Sequence, residues 1–309
     1  TAHLTNRDIF YMDTLPASLT ILGGGPIGIE MAQAFARLGS AVTVVDMASQ
    51  ILGKEDRDMA DAVMGVLASE GVTFHLNATV MHVRQAGAQK AVGIKTAEGV
   101  EQTLHSEAIL VAIGRTPNVS GLSLEAAGVD AERGGITVDH RLRTSRSHIY
   151  AAGDVTHRPA LVNLAEMEGR FAVKHMYETN RWPLNYRNMS TVMFFKPAVA
   201  AVGLNEQTCR KKKIPYRVAV YSNALVTRAI AMQATDGFVK IIVSDDDDRR
   251  ILGMRAAGPQ ASNTIMSIAL LMDQDKGIRD ALKSVHPHPT MSEAVMEAAA
   301  AAYGEVIHI

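Results

Sequence analysis

Cysteine is almost missing from this chain: among 309 residues there is one, Cys209. No intrachain disulfide can form, and such sparing use suits a reducing, cytoplasmic setting. Cys209 lies in the run Glu206-Gln207-Thr208-Cys209-Arg210-Lys211-Lys212-Lys213, which reads as a polar helix. A structural thiol is expected there rather than a nucleophile. An excess of charge is missing too, since 31 Lys and Arg stand against 32 Asp and Glu, a net charge of −1. That leaves no electrostatic footprint for nucleic acid or for an anionic membrane. No apolar run is long enough to span a bilayer, and the first residues do not read as a signal peptide. Repeats and low-complexity tracts are absent. What is present is a chain 47% hydrophobic and long enough for two or three domains with their own cores.

The most informative stretch is residues 18–46. It reads as an apolar strand, the turn Gly23-Gly24-Gly25-Pro26-Ile27-Gly28, a helix to Leu38, a second apolar strand, and then Asp46. Each part has a physical reason. Gly23 suits a tight turn out of the strand, Gly25 lets a pyrophosphate approach the backbone, and Gly28 lets the helix pack against the sheet. Pro26 fits the first helical position, where its missing N–H costs nothing. Pro26 and Ile27 therefore open a helix whose free N–H groups and dipole favour an anion. Asp46 ends the second strand at the spacing of a carboxylate that accepts the ribose hydroxyls of an adenosine. No Arg or Lys follows directly in Met47-Ala48-Ser49-Gln50, so NAD(H) is expected over NADP(H).

Beyond this unit the apolar spacing predicts a helix over 57–69, a strand over 72–76, and an antiparallel meander over 80–85, 91–96 and 102–104. A buried strand over 108–113 closes a nucleotide domain. The breaker cluster Gly114-Arg115-Thr116-Pro117-Asn118 marks a crossing. A Gly-Gly turn at 134–135, a strand over 136–138 and a strand over 149–155 follow; the last delivers Gly153 and Asp154 at its C-terminal end, where ligands sit in open α/β sheets. A helix is expected over 161–178 and a linker at Trp182-Pro183-Leu184-Asn185. From residue 191 the texture turns to an α+β pattern with an antiparallel sheet. Asp245 to Asp248 reads as a solvated hairpin tip, and no metal site is expected.

The last motif is His286-Pro287-His288-Pro289-Thr290-Met291-Ser292-Glu293. Pro289 is expected to start a final helix, with Glu293 in its first turns. From there Glu293 can reach back to His288, orient the ring and raise its basicity, as a base and its orienter do in acid–base catalysis. Taken alone, the same spacing is more often the signature of capping and turn chemistry than of catalysis.

Taken together, Gly23-x-Gly25-x-x-Gly28-x-Glu30, the acid-ended strand, Ala112-Ile113-Gly114-Arg115-Thr116-Pro117-Asn118, Tyr150-Ala151-Ala152-Gly153-Asp154 and the His-Pro-His-Pro motif resemble the flavoprotein pyridine nucleotide–disulfide oxidoreductases. The resemblance covers nearly the whole chain and is greatest to the dihydrolipoamide dehydrogenase type. It implies an α/β fold: a Rossmann-like NAD-binding domain over 1–113, the C-terminal part of a split FAD-binding domain over 114–189, and an α+β dimerisation domain over 190–309. It also implies that Gly23, Gly25, Gly28 and Asp46 hold NAD(H), that Glu30 lies near the nicotinamide carboxamide, and that Gly114 lines both cofactor sites. Asp154 would hold the ribityl chain of FAD. His288 would be the general acid–base, oriented by Glu293 and serving the other subunit of a homodimer.

The departures carry their own expectation. The family's opening FAD-binding βαβ unit, its redox-active cysteine pair and its flavin-side lysine are not found here. Pro26 stands where many relatives carry an aromatic gate. The expectation is thus a C-terminal portion of a longer FAD- and NAD-dependent enzyme acting on a small or lipoyl-type disulfide. By itself it would keep NAD binding and dimerisation, without tight FAD binding or activity. Soluble transhydrogenase, quinone reductase and a non-catalytic dimeric NAD-binding module are the alternatives. Mercuric reductase is disfavoured by a C-terminus without a cysteine pair.

Overall fold

The computed structural model describes residues 1–132, 135–156, 158–178 and 184–307. By internal contacts the chain forms two units, Thr1–Ile113 together with Ser190–Ile309, and Gly114–Met189.

The front of the first unit runs β1 (Ser18–Leu22), α1 (Pro26–Leu38), β2 (Ala41–Val45), α2 (Arg57–Ser69), β3 (Thr73–His75), β4 (Thr79–Ala86), β5 (Gln89–Lys95), β6 (Glu101–Ser106) and β7 (Ala108–Val111). Four strands form a parallel sheet in the order β3-β2-β1-β7. Alternate side chains point to opposite faces, and both faces find cover. Leu19, Ile21, Val42, Val44, Ala108 and Leu110 share a core with Ile29, Ala32 and Phe35 of α1. Leu22, Val45 and Ile109 pack instead with Val92 and Ile94 of the meander β4-β5-β6. This two-sided burial is why the strands read as nearly unbroken apolar runs. The opening segment takes part in the sheet. The Leu4 N–H donates to Ile109 O at 2.7 Å and the Val111 N–H donates to Leu4 O at 2.9 Å, so Leu4 extends the sheet beside β7, and Ile9 is buried.

The second unit holds α3 (Leu124–Ala127), the two-residue strands β8 (Ala131–Glu132) and β9 (Gly135–Ile136), and α4 (Val162–Tyr177). Its buried apolar cluster is Val129, Ile136 and Ala151. The strand expected over 149–155 does not form. Tyr150 makes one isolated bridge, to Arg143, and Gly153–Val155 is a 3-10 turn. The reason is local: the Thr156 N–H donates back to Gly153 O at 2.9 Å, which curls the chain before any strand can lengthen. The strand expected over 136–138 likewise shrinks to Gly135–Ile136. Gly134 of the expected turn, and Trp182 and Pro183 of the expected linker, lie outside the described residues.

The first unit resumes with β10 (Ser190–Met193), β11 (Val199–Gly203), α5 (Glu206–Lys212), β12 (Tyr216–Ser222), α6 (Thr227–Ala231), β13 (Phe238–Ser244), β14 (Ile251–Ala257), α7 (Ala261–Asp273) and α8 (Glu293–Ala301). The strands form an antiparallel sheet in the order β10-β11-β14-β13-β12. One core joins Val202, Ile241 and Met254 to Ile265 and Ile268 of α7 and to Ala294, Val295 and Ala298 of α8. Met193, Phe195, Val199 and Ala257 instead complete the core of the front sheet and α1. Front and back thus share apolar packing. The Asp245–Asp248 run is the β13–β14 connection, where Asp246 accepts from Ser244 Oγ at 2.7 Å and Asp245 pairs with Arg217. The last helix starts later than expected. It begins at Glu293 with Ser292 as N-cap, and Pro289 lies in the turn ahead of it.

Candidate functional site

The turn after β1 is built by close packing. The Gly23 N–H donates to Val45 O at 2.8 Å, and the φ of Gly23 is +113°. A Cβ on Gly28 would stand 1.9 Å from Gly23 O. Only a residue without Cβ lets α1 cross the turn at that distance. Gly25 differs from both: a Cβ there would meet nothing within 4 Å. The missing side chain at Gly25 is not required by the protein's own packing, and it leaves the backbone open to a ligand. Gly25 is the N-cap of α1, makes no side-chain cap, and is followed by Pro26 at the start of the helix. The N–H groups of the first turn have no intrahelical acceptors, so the end of α1 faces that open side as an anion seat.

Asp46 sits beside this turn. Its Oδ2 accepts the Gly24 N–H at 2.5 Å and its Oδ1 accepts the Ala48 N–H at 2.7 Å. Each carboxylate oxygen retains a further lone pair, and two backbone bonds fix the side chain in place. Glu30, one turn into α1, accepts the Phe194 N–H on Oε1 at 2.7 Å. It lines a cleft of about 290 Å³ with Gln33, Ala34, Arg37, Phe194, Phe195 and Lys196. Of the residues singled out from the sequence, only Glu30 borders that cleft. Both acids bind the protein's own backbone, which spacing alone did not reveal.

At the other end of the unit, His288 Nδ1 lies 2.8 Å from Glu293 Oε1, with the His288 side chain 63% exposed and that of Glu293 15% exposed. Glu293 Oε2 accepts the Thr290 N–H at 2.8 Å, so both carboxylate oxygens are committed. A carboxylate can only accept, so the ring hydrogen is assigned to Nδ1 and Nε2 becomes the face available for proton transfer. His286 turns elsewhere, its Nε2 lying 3.3 Å from Ala281 O.

In the second unit Asp154 Oδ2 accepts from Arg115 Nη2 at 2.5 Å, both side chains being about half exposed. Gly114, with a φ of +140°, has open space where a Cβ would be. The turn that carries Asp154 is held from beneath by Glu168. This carboxylate is fully buried, and it accepts the Gly153 N–H at 2.7 Å and the Tyr186 hydroxyl at 2.9 Å. Sequence reasoning missed Glu168. Its only signal is an acid on the apolar side of an otherwise amphipathic helix.

Comparison with known proteins decides the family. The profile of the pyridine nucleotide-disulphide oxidoreductases matches residues 1–169, and that of their dimerisation domain matches residues 189–299. The chain belongs to this family. It is similar to a dihydrolipoamide dehydrogenase of Chaetomium thermophilum, with 36% identity over 300 residues covering 96% of this chain and 59% of that protein. It is similar to the dihydrolipoyl dehydrogenase of Bacillus subtilis, with 34% identity over 306 residues, 99% of this chain and 64% of that one. Among solved structures it matches LpdA of Mycobacterium tuberculosis with a TM-score of 0.87 and 32% identity, over 96% of this chain and 64% of the other. It also matches the HOCl-induced flavoprotein disulfide reductase RclA of Escherichia coli with a TM-score of 0.86 and 31% identity, over 94% and 66%. The chain spans about three fifths of the length of these curated relatives.

The single thiol of the chain is shielded. Cys209 is buried; burial, then the nearby Asp56 carboxylate, push its thiol above the ordinary range, which disfavours the nucleophilic thiolate. The described residues also bring together one trio of acids, Asp56, Asp58 and Glu206. Its centre is taken by the ammonium of Lys240, which lies 2.7–3.1 Å from all three.

Proposed function

We propose that the first unit binds NAD(H) and that this chain supplies the nucleotide-binding and acid–base parts of a disulfide oxidoreductase of the dihydrolipoamide dehydrogenase type. The observation that carries the reading is Gly25: an opening that packing does not need, placed over a helix N-terminus and beside a carboxylate held by Gly24 and Ala48. In this reading the N–H groups around Gly25 and Ile27 take the pyrophosphate, with Gly23 and Gly28 setting the turn and Pro26 leaving the approach free. Asp46 accepts the adenosine ribose hydroxyls, and Glu30 lies toward the carboxamide end. With no Arg or Lys in residues 47–50, a 2′-phosphate meets no cation in that segment, which supports NAD over NADP.

The residues of the second unit fit part of a flavin. Gly114 leaves room for it, and the Asp154 carboxylate, exposed at its turn and steadied by Glu168, has the chemistry to accept hydroxyls of a ribityl chain. The pyrophosphate of a flavin dinucleotide has no second glycine turn in this sequence, so tight FAD binding by this chain alone is not proposed. When bound, a flavin supplies the acceptor for the nicotinamide hydride and the donor of two electrons to a disulfide. His288 then has a defined task. Glu293 holds the proton on Nδ1, and Nε2 takes or returns the proton of a substrate thiol. Residues 190–309 are proposed to form a homodimer, supported by the dimerisation profile over 189–299, with His288 serving the partner's site. The chain shown, whose one thiol is buried, is proposed to carry out no dithiol exchange by itself.

The test is a titration of the chain with NADH and with NADPH. The parent is expected to bind NADH more tightly. Asp46→Ala is expected to raise the NADH Kd by about tenfold or more, since hydrogen bonds to a charged group are worth roughly 1.5–3 kcal/mol. An unchanged Kd in a folded Asp46→Ala protein would remove the ribose assignment.

A further inference from the structure

The segment that carries Asp46 into α2, residues 47–56, is gripped at both ends. On the nucleotide side, the Leu52 N–H donates to Gly24 O at 2.8 Å and the Ala48 N–H donates to Asp46. Ile51 is fully buried, and its Cγ2 lies 3.3 Å from where a Cβ on Gly24 would stand. The segment therefore forms the floor under the glycine turn. On the far side several anchors come from the C-terminal part of the same unit. Asn205 Nδ2 donates to Lys54 O at 2.8 Å, and Arg255 Nε donates to Glu55 Oε2 at 2.8 Å. Asp56 accepts the Gln207 N–H at 2.9 Å and the Glu206 N–H at 3.2 Å. Lys240, with no exposed surface, lies 2.8 Å from Asp56 Oδ2 and 2.7 Å from Asp58 Oδ1. Leu52 holds a φ of +50°, a conformation an L-residue keeps only when its surroundings impose it.

We propose that Lys240, acting through Asp56 and together with the Arg255–Glu55 pair, is a positioning residue for the adenosine half of the dinucleotide site. The inference rests on the nucleotide-binding reading above and goes beyond it, because it assigns part of the site's shape to the C-terminal β-sheet. Removing the ammonium leaves the buried Asp56 carboxylate, and the more open Asp58 and Glu206 beside it, without their counter-charge. The 47–56 segment then relaxes at its far end, and the Gly24–Asp46 geometry loses its support. The electrostatics of the pair point the same way. Burial alone would push Lys240 down and Asp56 up, yet their mutual hydrogen bonds, with Asp58 on Lys240 and the Gln207 N–H on Asp56, reverse both directions.

The experiment is calorimetric titration of the whole chain with ADP-ribose, the dinucleotide without its nicotinamide ring, well below each variant's unfolding temperature. Lys240→Met is expected to weaken ADP-ribose and NADH equally, by about tenfold, the scale on which small misplacements act. Lys240→Arg is expected to restore most of that affinity. Should Lys240→Met fail to fold, Glu55→Gln decides, because Arg255 keeps its bonds to the carbonyls of Val202 and Met254. A loss of about threefold in ADP-ribose affinity is expected there. Folded Lys240→Met or Glu55→Gln with an ADP-ribose Kd within about twofold of the parent would overturn the proposal and leave Lys240 as a purely structural ion pair. A parent chain that binds neither ADP-ribose nor NADH would instead remove the nucleotide reading itself, and this inference with it.

Discussion

The glycine turn at the front and the histidine turn near the end of the first unit are built on opposite principles. At the front, the proposed recognition is made of backbone, and the backbone is shaped by contact. Gly28 lies against Gly23 O, Gly23 against Ala112 O, and Ile51 beneath Gly24. Near the end, the proposed chemistry is one exposed ring and one carboxylate, joined by a single hydrogen bond. A site made of packing cannot be altered without disturbing the fold. A site made of a side chain on a supported turn can lose its chemistry while the fold stays whole.

Gly28→Ala should break the front turn most severely. The added methyl group has no room against Gly23 O, and a loss of about 3 kcal/mol or more in unfolding free energy is expected, together with loss of NADH binding. Denaturant unfolding and a nucleotide titration would check both. A stable, NADH-binding Gly28→Ala protein would undo the contrast between the two turns. His288→Gln sharpens it from the other side. In a longer, flavin-loaded enzyme of which this chain is proposed to supply a part, dithiol oxidation should fall by about 10²–10⁴-fold. NADH affinity should stay put, and stability should move by no more than about 0.5 kcal/mol, as for exposed sites. Equal losses in NADH binding and turnover would count against the assigned role.

The smallest effect is in pH. Burial raises the Asp56 carboxyl, but hydrogen bonds from Lys240 and the Gln207 N–H more than offset this and hold it below 3.8. Its contribution is present above the unfolded-state value and is lost as pH falls through the lower folded one. Lys240 has the opposite sign. Burial lowers it, its bonds to Asp56 and Asp58 raise it above 10.5, and its contribution disappears as pH climbs through that raised value. Melting temperature should therefore drop by a few °C, on the order expected for roughly 1 kcal/mol, as pH goes below 3.8. Asp56→Asn should flatten that acid limb. An unaltered limb in the variant would show that the front segment owes nothing to this pair.

How much of this was legible beforehand follows from range. The parallel βαβ unit could be read because each of its signals is local: an apolar run, glycines at fixed offsets, a proline at a helix start and an acid closing the next strand. The helix over 57–69 comes out at those residues for the same reason, strong periodicity between clear breakers. The strand over 149–155 was misread because an apolar run followed by Gly-Asp carries the same local signature whether it extends or curls. A bond from Thr156 back to Gly153, with Glu168 waiting fifteen residues further along, settled which. Pro289 was misread as a helix start because proline marks turns and first helical turns equally well.

The sequence by itself determined the fingerprint, its acid, the histidine and its glutamate, because those depend on spacing of a few residues along one element or across one turn. Only the tertiary structure decided what supports them. Lys240 meets Asp58 across a separation of 182 residues, and Arg255 meets Glu55 across 200. No periodicity predicts a pairing at that distance, since it is chosen by which sheet packs against which loop.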